Sequence, residues 1–284
     1  MRISTATLVL AVAICAYFVS PAYAHHEAIF GPQSSAVLSP GTFLTAQVFT
    51  RATGQDDEKG HETTMVFGGG LRPFKRPLSL AFVVPVTFAN GPGDSSRGLE
   101  DALISARYRV DAAPVAESLR LDSAYVMGVG GIEIPTGTLD HTFGRGPIGE
   151  IVAGLISLER SPVSLIGYVY YHRAGEYRGV RQSGNAFVGL GAAWTPIDDE
   201  DNGKLLSLQL GLSNEHTFAV KRAGVPVSDS GGSGLFVHPA MVAMVAPRVQ
   251  FFVLTSLPIT QDWKAADDRQ RFRIGAGAIL ILGH

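Results

Sequence analysis

Cysteine is almost missing from this 284-residue chain, and its one thiol, Cys15, lies near the amino end. That end reads as a secretory signal. Arg2 supplies the basic start, Leu8 to Val19 an apolar core, and Ala22-Tyr23-Ala24 a small-residue cleavage site. Cleavage after Ala24 is expected, because the apolar stretch is shorter than the ~20 residues a spanning helix needs. The mature chain, His25 to His284, would then hold no thiol. Disulfides, sulfur-ligated metals and a cysteine nucleophile are excluded together.

Long apolar runs are lacking as well. No stretch after the signal reaches the ~18 consecutive apolar residues of a transmembrane helix. Helical periodicity is equally scarce. Few segments place apolar residues at i, i+3, i+4 and i+7, and 33 glycines and 16 prolines interrupt most windows of helical length. Neither sign of charge dominates. Without Arg2, 22 basic residues face 25 acidic ones, and no basic cluster stands out. Nucleic acid is therefore not an expected partner, since phosphate contacts need such a cluster.

What the chain does have is alternation. From Leu206 to Glu215, leucines at 206, 208, 210 and 212 alternate with Ser207, Gln209, Gly211, Ser213 and Glu215. Strand side chains point to opposite faces with a period of two, so one face is leucine and the other small or polar. A transmembrane β-barrel strand needs that division, apolar toward lipid and polar toward the lumen. The pattern recurs. Leu78, Leu80, Phe82, Val84, Val86 and Phe88 oppose Ser79, Ala81 and Thr87. Ala102, Ile104, Ala106, Tyr108 and Val110 oppose Asp101, Ser105, Arg107 and Arg109. Phe272, Ile274, Ala276, Ala278, Leu280 and Leu282 oppose Arg271, Arg273, Gly275 and Gly277.

Twelve strand segments are expected, over 41–50, 62–71, 78–88, 99–110, 118–134, 148–159, 163–172, 183–194, 204–213, 234–245, 249–257 and 271–282. With these bounds every odd-numbered connection is longer than every even one. A soluble β-sandwich has no reason to sort its loops, whereas an outer-membrane barrel puts short turns in the periplasm and long loops outside. The expected architecture is an all-β, antiparallel, up-and-down transmembrane barrel over 41–284, preceded by the signal (1–24) and a periplasmic segment (25–40). Glycine stretches 68–70 and 128–131 lack a following helix with Lys-Ser/Thr, so they are not phosphate loops, and bulges or curvature are expected there.

Three stretches carry a resemblance: Gly98-Leu99-Glu100-Asp101-Ala102 running to Arg107-Tyr108-Arg109, Gly131-Ile132-Glu133-Ile134-Pro135-Thr136-Gly137-Thr138, and Phe272-Arg273-Ile274-Gly275-Ala276-Gly277. Together they resemble the "MetA-pathway of phenol degradation" family of Gram-negative outer-membrane proteins. The resemblance implies a β-barrel linked to uptake of hydrophobic or aromatic compounds, and it supplies no catalytic residues.

The expected function is thus a non-enzymatic outer-membrane channel or transporter for a small solute, with outer-membrane lipid around it. Arg107, Arg109, Gln209, Glu215, Arg271 and Arg273 fall on polar faces and are expected to line the lumen. Two alternatives stand beside this. His25 and His26 would form the mature amino end, where an α-amine and imidazoles suit Cu(II) or Ni(II), giving a metal-handling barrel. A lipid hydrolase built on His172, Ser183 and Asn185 is the other, although nothing in the spacing demands it. Tyr108, Tyr125, Tyr168, Tyr170, Tyr171, Trp194 and Trp263 are candidates for interfacial girdles.

Overall fold

In a computed structural model the described residues are 42–53, 60–73, 77–91, 94–137, 148–177, 179–181, 183–199, 202–228, 230–264 and 269–283. The expected signal, His25 and His26 lie outside them. Among the described residues, twelve strands form a barrel. They are β1 (Thr42–Thr53), β2 (Gly60–Leu71), β3 (Leu78–Gly91), β4 in two parts (Asp94–Leu99 and Ala102–Asp111), β5 (Ser123–Ile134) and β6 (Gly149–Arg160). The remainder are β7 (Val163–Arg173), β8 (Asn185–Asp199), β9 (Lys204–Thr217), β10 (Gly232–Ala246), β11 (Val249–Trp263) and β12 (Gln270–Gly283). Each pairs antiparallel with its neighbours in sequence, and β12 returns to β1 through pairs from Thr42↔Gly283 to Thr53↔Gln270. The barrel is closed. Among the described residues every barrel strand is paired on both sides, which is the condition a bilayer imposes on any sheet that crosses it.

Alternation sorts the faces as expected. Leu208, Leu210 and Leu212 are exposed on the outside of β9, while Ser207, Gln209, Gly211 and Ser213 are buried inside. Phe82, Ile104, Val152, Val169, Leu190 and Ile274 continue the apolar outer belt on other strands.

The connections are less regular than expected. The end of the barrel where β1 begins and β12 finishes is called lower here, the other upper. The lower turns after β6 and β10 shrink to 161–162 and 247–248, and upper connections 135–148, 174–184 and 218–231 are long. However, β3 and β4 extend toward each other until only 92–93 separate them. The lower connection after β4 instead contains a helix, α1 (Ala113–Leu119). The expected strand over 118–134 therefore begins only at Ser123. Pro114 suits the first helical turn, where its missing N–H costs nothing, and Arg120 closes the helix in a left-handed conformation at φ 54°.

Proline also explains the interruption of β4. Glu100 N–H donates to the Pro85 carbonyl at 3.0 Å, but Pro85 on β3 has no N–H to return. The ladder breaks at Glu100–Asp101, and the upper end of β5 closes over the break. Gly137 N–H donates to Asp101 Oδ1 at 2.8 Å, and Ala102 N–H donates to Thr136 Oγ1 at 2.9 Å. Two of the stretches singled out in the sequence thus form one local structure.

At the glycine stretches the ladders run through without a register shift. Close approach replaces the expected bulge at Gly68, where a Cβ would stand 2.8 Å from the Phe82 carbonyl oxygen, and at Gly131, where it would stand 2.9 Å from the Ile104 carbonyl oxygen, while Gly128 and Gly130 face open space.

At the upper end, two loops join. Short hairpins Glu176–Tyr177/Val180–Arg181 and Lys221–Arg222/Val225–Pro226 pair through Val180↔Arg222 into a small ribbon above the barrel.

Candidate functional site: the barrel interior

A barrel interior is lined by alternate residues of every strand, so strand parity decides what faces it. In the lower part an apolar cluster shares the inner face with buried polar groups, among them Thr45, Gln47, Ser105, Arg107, Gln209 and Gln250. Phe43, Val66, Met127, Leu155, Phe252 and Ile279, from six different strands, belong to one buried cluster. Hydroxyls such as Ser157 and Ser207 are interspersed among them. Ring-over-glycine packing fills the wall. A Cβ on Gly277 would stand 2.6 Å from Phe252 Cζ, and one on Gly275 would stand 2.4 Å from Phe49 Cδ1. Removing those Cβ atoms lets each ring lie flat against the adjacent strand.

The upper interior is polar and densely bonded. Arg273 on β12 reaches past β11 and β10 to Glu215 on β9, making a two-pronged pair: Nη1 to Oε1 at 3.0 Å and Nη2 to Oε2 at 2.5 Å. Such a fork is stronger and more directional than a single hydrogen bond. Its third donor, Nε, goes to Gln270 Oε1. The guanidinium lies over the Phe236 ring, 4.6 Å from its centroid. Phe236 can lie there because its neighbour Gly234 carries no Cβ, which would stand 2.8 Å from the ring.

Beneath that pair runs a second chain of bonds. Ser213 Oγ donates to Glu215 Oε1 at 3.2 Å and hydrogen-bonds His238 Nε2 at 2.6 Å, while His238 Nδ1 meets Ser256 Oγ at 2.8 Å. Tyr168 also hydrogen-bonds Ser213. His238 and Ser256 are wholly buried. Their position follows from Pro239, which lacks the N–H that the β10–β11 ladder needs. That ladder pairs Val237 with Leu257 and resumes only at Ala240 with Leu254. The His238–Ser256 bond bridges the gap on the inner face.

Of the six expected lumen residues, Arg107, Gln209, Glu215 and Arg273 lie on the inner face, all but Glu215 deeply buried. Arg107 sits lower, 5.4 Å from the Phe43 ring centroid. Arg109, also inward, stacks on Tyr125 at 3.9 Å and pairs with Asp111 at 2.9 Å. Arg271 does not join them. The β1–β12 register slips between Ala52↔Phe272 and Thr53↔Gln270, leaving Arg271 as the extra residue of a bulge and exposed on the outside.

Of the residues of the hydrolase alternative, His172 pairs with Asn185 across the β7–β8 ladder, and its Nε2 bonds Glu133 Oε2 at 3.0 Å. The tyrosines and tryptophans divide. Tyr108, Tyr171 and Trp194 are exposed on the outside. Tyr125, Tyr168 and Trp263 are buried, and Trp263 Nε1 donates to Gln261 at 2.8 Å. Among the described residues, no group of three or more His, Cys, Asp or Glu is arranged to hold a metal.

Sequence reasoning passed over His238, Phe236 and Ser256. The available signal was a histidine at inward parity within the apolar run Leu235 to Val242.

Fold and interior together define a closed twelve-stranded barrel of the outer-membrane type. An outer-membrane channel from Pseudomonas putida F1 has a similar structure, with a TM-score of 0.63 and 14% identity, over 89% of this chain and 99% of that one. Weaker likenesses are to the beta domain of the Bordetella autotransporter Brka (TM-score 0.47, 12% identity, 85% and 100% covered) and to LpxR from Salmonella typhimurium (0.44, 7%, 83% and 99%). No protein-family model matches the chain, and no curated protein is similar to it.

Proposed function

We propose that this protein is a non-enzymatic outer-membrane channel that passes a small, largely hydrophobic solute. The observation that carries the reading is the apolar cluster in the lower interior, enclosed by an apolar outer belt. A water-filled porin keeps its interior polar, because ions and sugars travel with their water. Phe43, Met127 and Phe252 offer no such lining, and they favour a solute that sheds water easily. Likeness to a channel barrel, and the family resemblance of the sequence, support the same direction. In this reading Arg107, Arg109, Gln209, Glu215 and Arg273 border the route.

Ser213 and His238 form a close serine–histidine contact, a feature that favours a hydrolase. Yet the second histidine nitrogen meets Ser256 rather than a carboxylate. Ser213 also sits in ladders to both Gly189 and Phe236, where backbone N–H groups are spent on the sheet. An acyl-transfer site needs free donors for its oxyanion. The contact therefore reads as a brace.

Vesicles with lipopolysaccharide in the outer leaflet provide the test, since that leaflet slows apolar molecules. Purified protein should speed entry of the apolar fluorophore N-phenyl-1-naphthylamine while leaving swelling by sugars small. No acceleration over empty vesicles overturns the reading.

A further inference from the structure

We propose that the Glu215–Arg273 pair is the charge-selecting element of the barrel interior, an inference that rests on the channel reading above. The pair is a chord between β9 and β12 laid over the inner face of β10. Its side chains keep some accessible surface, 17% for Glu215 and 8% for Arg273, whereas His238 and Ser256 keep none. The pair is thus the face that the polar network presents to the lumen.

Other inward charges are engaged elsewhere. Arg51 pairs with Glu62 at 2.7 Å toward the upper rim, Glu133 bonds His172, Glu100 accepts from Thr87 Oγ1, Glu159 accepts from Ser123 and Ser157, Arg107 lies over Phe43, and Arg109 pairs with Asp111 near the lower end. A narrow, low-dielectric lumen amplifies any fixed charge on its wall. While paired, Glu215 and Arg273 present no net sign, so neutral solutes are favoured and neither ion class is attracted. Separating the two charges should expose one sign and make the interior selective for the opposite one.

Reversal potentials across planar bilayers in a potassium chloride gradient read this directly. Glu215→Gln should shift permeability several-fold toward chloride, and Arg273→Gln several-fold toward potassium. The exchanged pair, Glu215→Arg with Arg273→Glu, should return close to the parent. If Arg273→Gln does not reach the compact, heat-modifiable form on gels, Glu215→Gln decides, since it keeps the shape of the side chain. Reversal potentials unchanged in conducting single variants overturn the proposal and leave the channel reading standing. A parent that accelerates solute entry but carries no current also overturns the proposal and leaves the channel reading standing, whereas no current and no accelerated entry from any form overturns both.

Discussion

The lower and upper halves of the barrel interior are built from the same strands by opposite means. Below, rings and aliphatic chains from many strands fill the space, helped by glycines that let Phe49 and Phe252 lie flat. Above, one fork from Arg273 to Glu215 and one histidine with two hydroxyl partners tie β9, β10, β11 and β12 together. Apolar packing is non-directional and tolerates small shifts, whereas a buried polar network is worth having only when every member is satisfied. The lower half is therefore suited to adjusting its packing, and in the proposed channel it would yield around a passing solute. The upper half is suited to holding a fixed charge pattern.

That contrast can be broken from the upper side first. Arg273→Ala strands Glu215 among buried groups, and a loss of about 3–5 kcal/mol is expected, read from urea unfolding in detergent or lipid. Replacing both partners, as Glu215→Leu with Arg273→Met, should recover most of that loss. A double variant as unstable as the single one would show that the pair supplies net stability and not only charge pattern.

The outer belt comes next, because the contrast assumes that both halves are inside. Leu210→Arg, on the exposed face of β9, should cost about 2–4 kcal/mol in a bilayer if that face meets hydrocarbon. An effect within about 0.5 kcal/mol, the usual range for a water-exposed site, would remove the membrane setting.

The lower half is expected to give the smallest effect. Gly277→Ala pushes a Cβ into the Phe252 ring and to 2.9 Å from the Ala46 carbonyl oxygen. A cost of about 1–3 kcal/mol is expected from overpacking. Recovery in Gly277→Ala with Phe252→Leu, compared by the same unfolding measurement, would localise the strain to the ring.

Much of the fold was legible in the chain because a period of two is a local property. Each of the twelve expected segments overlaps one observed strand, and the leucine face of β9 is the outer one. The less regular segments, 118–134 and 148–159, are less regular for a reason. On β5 and β6 the inward residues Met127, Val129, Ile151 and Leu155 are apolar like the outward ones, so alternation fades where the interior is greasy. Expecting a wet lumen throughout follows from reading only the clearest strands. Arg271 shows another limit, since a bulge of one residue reverses parity and leaves no mark in composition.

By itself the sequence determined the outer surface: strand number, strand direction and which side chains form the apolar outer face, all functions of neighbours a few residues apart. Only the tertiary structure decided the interior. Glu215 and Arg273 are far apart in the chain and separated by two strands in the sheet, and they meet because closure and stagger bring β12 round to face β9. His238 finds Ser213 and Ser256 by the same registers. Alternation fixes which way a side chain points; what it meets there depends on the strand register and closure of the barrel.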